Sequence, residues 1–184
     1  RQCSIVSAAL RGCGAMTKVH ELVALELART RADDVDSLLR HPAIAALRLA
    51  NVERVTSIDA LRGHAALRTL ALEKLLYLES LQPIATLPRL ESLSVARLWQ
   101  FGIGDAWFLT GMTRLRELAL DIGGERKNVE IAKRLGLPEP AAFDVGDYDF
   151  TTSYESGVQS LPAYLSSVTT VGAIGGFSGE KGGV

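Results

Sequence analysis

His41 and His64 are the side chains of this 184-residue chain best suited to proton transfer or to holding a metal, followed by Cys3, Cys13 and the aspartates Asp144, Asp147 and Asp149. Imidazole titrates near neutrality and ligates zinc, thiolates do the same, and carboxylate oxygens suit calcium. Each chemistry needs companions at fixed spacing. Neither histidine has a carboxylate or thiol in step with it, two cysteines alone make no zinc site or disulfide framework, and the three aspartates fit no EF-hand loop. Gly12-Cys13-Gly14 and Gly102-Ile103-Gly104 lack the strand, third glycine and helix of a phosphate loop, so both are expected to be turns. No Ser/His/Asp or Cys/His set can be assembled with a role for each member. The expectation is a chain without catalytic, metal-binding or cofactor-binding residues, hence not an enzyme.

What these residues do instead follows from a repeat. LVALEL (22–27), IAALRL (44–49), LRTLAL (67–72), LESLSV (90–95) and LRELAL (115–120) share the form LxxLxL, with first positions separated by 22, 23, 23 and 25 residues. Ahead of each unit the inward candidates come in threes: Val35, Leu38 and His41; Ile58, Leu61 and His64; Leu81, Ile84 and Leu87; Ala106, Leu109 and Met112. A step of three suits short 3₁₀ or irregular helical turns, whereas the LxL alternation suits a short strand with both leucines inward. His41 and His64 thus share a core column with Val19, Leu87 and Met112 and are expected to be a structural pair. Cys3 and Cys13 fall in core columns as small buried hydrophobes. Counting 22 back from Leu25 and Leu27 reaches Cys3 and Ile5, so a half-repeat opens the chain and an N-terminal cap or further repeats are expected before it. Counting 23 forward from Leu115 reaches Pro138, which puts Ala141 and Phe143 in a degenerate last unit and predicts seven short parallel strands.

The pattern resembles the short leucine-rich repeats of bacterial proteins of the internalin-like kind, most clearly in LRTLALEKLLYLESLQPIATLPRL, and the resemblance covers residues 3–143. It implies an α/β leucine-rich-repeat solenoid, with short parallel strands on the concave face, 3₁₀ or short helical turns on the convex face, and a role in binding other proteins. One column departs from the family. The inward asparagine three residues after the motif is here Thr30, Val52, Leu75, Leu98 and Gly123, so backbone amides that an asparagine ladder would satisfy must find other partners.

On the concave sheet the outward positions are mostly alanine, serine and threonine, and among them Glu26, Arg48, Glu73, Ser94, Glu117 and Asp121 are candidate partner-binding residues. Such a floor permits close approach but supplies few anchors. The anchors are concentrated elsewhere, since RLWQFGIGDAWFL (97–109) holds both tryptophans of the chain. Aligning Ile103 with Leu78 leaves Trp99, Gln100, Phe101 and Gly102 as an insert that gives this repeat its extra length, on the loop bordering the concave face. Trp107 lies in the column of Asp36, Asp59 and Gln82, on a convex turn expected to be capped by Asp105 and closed by Gly111. Trp99 and Phe101, with Trp107, are therefore candidate partner anchors; the competing account packs them under the C-terminal tail.

A net charge of −1 and no basic cluster longer than Arg126-Lys127 argue against a nucleic-acid partner or an anionic membrane surface. No apolar run approaches the roughly 18 residues of a membrane span. Residues 1–143 are read as the solenoid and 144–184 as a C-terminal cap followed by a Gly-rich tail. The functional expectation is a protein-binding repeat module, partner held on the concave face and its bordering loop. Its alternatives are a substrate-presenting repeat domain of a larger enzyme and a structural or adhesive repeat segment.

Overall fold

The computed structural model describes residues 2–6, 9–10, 22–32, 35–122, 125–134, 141–142 and 170–173. The repeat produces one strand per unit: β1 (Gln2–Val6), β3 (Ala24–Ala28), β5 (Ala46–Ala50), β6 (Thr69–Glu73), β7 (Ser92–Ala96) and β8 (Glu117–Asp121). These pair in parallel in chain order, with Cys3, Leu25, Leu47, Leu70, Leu93 and Leu118 in one row and Ile5, Leu27, Leu49, Leu72, Val95 and Leu120 in another. From β3 to β8 both rows are buried in a single leucine core. A one-residue slip would carry every leucine to the other face, so alternation pins the register. Between the strands one carbonyl repeatedly accepts two amides of the next unit: Val23 O takes Ala45 and Ala46, Ala45 O takes Arg68 and Thr69, Arg68 O takes Glu91 and Ser92, and Glu91 O takes Arg116 and Glu117.

The step of three becomes a chain of i→i+3 hydrogen bonds between the inward residues themselves. Leu61 N–H donates to Ile58 O and His64 N–H to Leu61 O; Ile84, Leu87, Met112 and Leu115 repeat the arrangement on Leu81, Ile84, Leu109 and Met112. Three of the units form 3₁₀ turns, at Asp59–Leu61, Gln82–Thr86 and Gly104–Gly111, while the first is a short α-helix, α1 (Val35–Leu39). The whole is a leucine-rich-repeat solenoid of the α/β class.

Four residues directly after strands adopt left-handed backbone in register: Arg29 (φ 50°), Asn51 (51°), Lys74 (48°) and Arg97 (55°). This turn lets the first three donate their N–H to the next unit, on Ala50 O, Glu73 O and Ala96 O. For a long side chain the conformation costs about 1 kcal/mol, and only Asn51 is of a type that suits it.

Beyond β8 the repeat rhythm gives way. Ten residues form α2 (Glu125–Arg134), which the leucine count does not predict because Ile131 is the one apolar side chain it buries among those described. The expected strand at Ala141 exists as β9 (Ala141–Ala142), yet it does not neighbour β8. A tail segment, β10 (Thr170–Ala173), stands between them in parallel, matching Val171 to Leu118 and Ala173 to Leu120. The tail therefore supplies a strand whose Val-x-Ala takes the register of Leu-x-Leu, and among the described residues the sheet has eight strands where seven were expected. A second parallel ladder joins β2 (Ala9–Leu10) to β4 (Arg31–Ala32) and continues as a single bridge from Arg31 to Glu53. Cys13, Met16, Val19, Phe143, Asp144, Asp147 and Asp149 lie outside the described residues.

Candidate binding surface

The histidine column is structural in its contacts. His41 and His64 are buried one repeat apart, and His64 Nε2 lies 2.9 Å from the carbonyl oxygen of His41. A carbonyl can only accept, so Nε2 carries the proton. His41 Nδ1 in turn accepts the Ala43 N–H at 3.3 Å. Among the described residues no group of three His, Cys, Asp or Glu side chains is placed to hold a metal ion, and no helix is long and apolar enough to cross a membrane.

The tryptophan segment divides between core and solvent. Trp99 is 65% exposed and Trp107 59%, whereas Phe101 is 4% exposed and belongs to the leucine core. Phe101 N–H donates to Leu98 O just as Leu78 N–H donates to Leu75 O in the preceding repeat. That equivalence corrects the alignment. Phe101 occupies the column of Leu78 and Val55, so it is a regular core position, unavailable as a surface anchor. The two extra residues of this repeat fall after it, between Phe101 and Ala106, where the Asp105 carboxylate accepts the Gly102 N–H at 2.7 Å. Asp105 is thereby spent on Gly102; the 3₁₀ turn starts from Ile103 with no side-chain cap, contrary to the expected Asp105 cap.

Trp99 is consequently held outward by a fixed frame. Its neighbour Gln100 donates from Nε2 to Leu75 O (2.7 Å) and Leu78 O (3.4 Å), and Lys127 of α2 donates to Phe101 O and, at 2.7 Å, to Ile122 O. These side chains satisfy carbonyls along the loops where the asparagine column is missing. The column itself has turned apolar, with Val52, Leu75 and Leu98 buried; Thr30, also buried, leaves its hydroxyl without a hydrogen-bond partner. In register with Trp99 stands Leu76, 55% exposed, and beside it Tyr77, 63% exposed. Neither falls in a column that the leucine count marks as outward. Counting forward from the strands, rather than back from the next motif, would have placed Leu76 and Trp99 in one outward column.

On the concave face the charged candidates are bound to one another. Arg48 spans Glu26 (2.7 Å) and Glu73 (3.0 Å), and Arg97 reaches Glu73 at 3.4 Å, so three neighbouring strands and the turn after a fourth carry one alternating ladder of charge. The small floor between them is not open, which corrects the expectation. Ala24, Ala46 and Ala71 form a second apolar cluster across the sheet from the leucines, and Thr69, Ser92, Ser94 and Ala119 are buried as well. Methyl-sized side chains on strands about 4.8 Å apart stand against one another, flanked by the longer Glu26, Arg48 and Glu73. Asp121 is buried too, accepting from Asn128 Nδ2 at 3.3 Å, while Asn128 Oδ1 accepts the Ile122 N–H at 3.1 Å. Glu117 is half-buried at the outer row beside Ser92. Large apolar exposure therefore lies off the floor, at Leu76, Tyr77 and Trp99 on the loop edge, Trp107 on the convex turn and Val129 on α2.

No protein-family model matches the chain, and no curated protein matches it. Among solved structures it is similar to an internalin (inlF) from Listeria monocytogenes, at 17% identity and a TM-score of 0.48, over 59% of this chain and 31% of that one. The chain thus spans about a third of the length of that internalin.

Proposed function

We propose that this chain is a non-catalytic protein-binding module, a short leucine-rich-repeat solenoid of the internalin-like bacterial kind, whose contact surface is the loop edge bordering the concave face. The observation that carries the reading is Trp99: a tryptophan 65% exposed, held by a segment that Phe101 plugs into the core and Gln100 ties to two carbonyls. Large rigid aromatics presented from a pre-organised frame are what interface energetics favour, because little side-chain or loop entropy remains to be lost on binding. Leu76 and Tyr77 extend the same edge, and Trp107 adds a convex contact. The ladder of Glu26, Arg48 and Glu73 serves as a rim, with the half-buried Glu117 at its end, contributing orientation more than energy, while the buried Ser94 and Asp121 take no part. The test is affinity capture with the full chain in parallel with Trp99→Ser. A protein retained by the first, lost by the second and accompanied by unchanged melting supports the reading; identical retention by both proteins refutes it.

A further inference from the structure

The loop edge carries a second feature that the protein-binding reading does not use. The left-handed column after the strands is Arg29, Asn51, Lys74 and Arg97, so three of its four members are cations in a conformation that glycine or asparagine would adopt without strain. Arg29 and Lys74 are exposed and form no ion pair among the described residues. Arg97 has only a share in Glu73, which Arg48 already engages more closely. Two columns further out lie Arg31, Glu53, Leu76 and Trp99, followed by Tyr77 and Gln100. Uncompensated positive charge and exposed apolar surface thus run side by side along one edge.

We propose that this edge docks a short acidic segment of a partner protein, its carboxylates on Arg29, Lys74 and Arg97 and its apolar side chains against Leu76, Tyr77 and Trp99. The inference rests on the protein-binding reading and names the chemistry of the partner. With units about 4.8 Å apart, Arg29 and Lys74 stand about 10 Å from each other and Arg29 and Arg97 about 14 Å, which an extended chain covers in three and about four residues. A peptide can place carboxylates opposite those cations alone. A nucleic acid repeats its charge at every unit and would meet the exposed Glu53 and Glu79 on the same edge.

The experiment selects from a displayed library of random twelve-residue peptides on the immobilised full chain, then titrates the enriched peptide, made synthetically, against the chain and against two variants; dT12 serves as a second probe. Arg29→Asn/Lys74→Asn removes both charges while keeping residues at ease with left-handed backbone, and Trp99→Ser removes the apolar anchor. Expected are enriched peptides of net negative charge with at least one large apolar residue, bound at least tenfold more weakly by each variant and more weakly in high salt. Neutral or basic peptides, acidic peptides indifferent to Arg29→Asn/Lys74→Asn, or tighter binding of dT12 than of any peptide would overturn the proposal. Peptides that lose affinity with Arg48→Met but not with the edge variants would overturn it while leaving a protein-binding function in place. Failure to enrich any peptide would count against both.

Discussion

Alanine at Phe101 and at Trp99 separates core from surface within three residues. Phe101 is 4% exposed and packed in the leucine core, so its removal forfeits the burial of an aromatic ring and leaves a cavity, about 4 kcal/mol in total. Trp99 is 65% exposed, and the loss of its side chain should stay within about 0.5 kcal/mol. For a chain of this size 1 kcal/mol moves the melting temperature by about 2 to 4 °C, which predicts a fall of about 8 to 16 °C for Phe101→Ala and about 2 °C at most for Trp99→Ala. Thermal melts followed by circular dichroism suffice. Equal shifts for the two variants, or a larger one for Trp99→Ala, would refute the alignment of Phe101 with Leu78 and return the segment to the status of a surface insert.

Three further outcomes follow from single side chains. Lys74→Asn relieves left-handed strain without touching an ion pair and should raise stability by about 1 kcal/mol in denaturant titration, whereas Lys74→Val should lower it. Thr30→Val exchanges a buried hydroxyl without a partner for a methyl of the same shape and should stabilise by about 1 kcal/mol in the same assay. Asn128→Ala strands the Ile122 N–H and the Asp121 carboxylate in the interior and should cost about 2 to 3 kcal/mol, with amide exchange at Ile122 accelerated.

The strands and turns were legible because leucines at fixed intervals encode both register and burial. Leu25, Leu47, Leu70, Leu93 and Leu118 pair as counted, and the half-repeat at Cys3 and Ile5 joins them. What escaped the count has local physical causes. α2 docks through Asn128 and Ile131 and contains no leucine, so a count of leucines passes it by. β10 joins the sheet across a long stretch of chain, and nothing in Thr-Val-Gly-Ala announces a pairing with β8. Phe101 was misplaced because a two-residue insertion shifts the frame for anything aligned from its far side. The concave candidates failed differently: Glu26, Arg48 and Glu73 were placed rightly on the outward rows, but their mutual ion pairs depend on partners one repeat away.

The central claim, that a core-anchored segment presents Trp99 to a protein partner, is tested most directly by the affinity of Trp99→Ala for the selected peptide, measured on protein whose melting temperature is known. The account predicts binding weakened about thirtyfold, equivalent to about 2 kcal/mol, at essentially unchanged melting temperature. Unaltered affinity in that fully folded variant would contradict it.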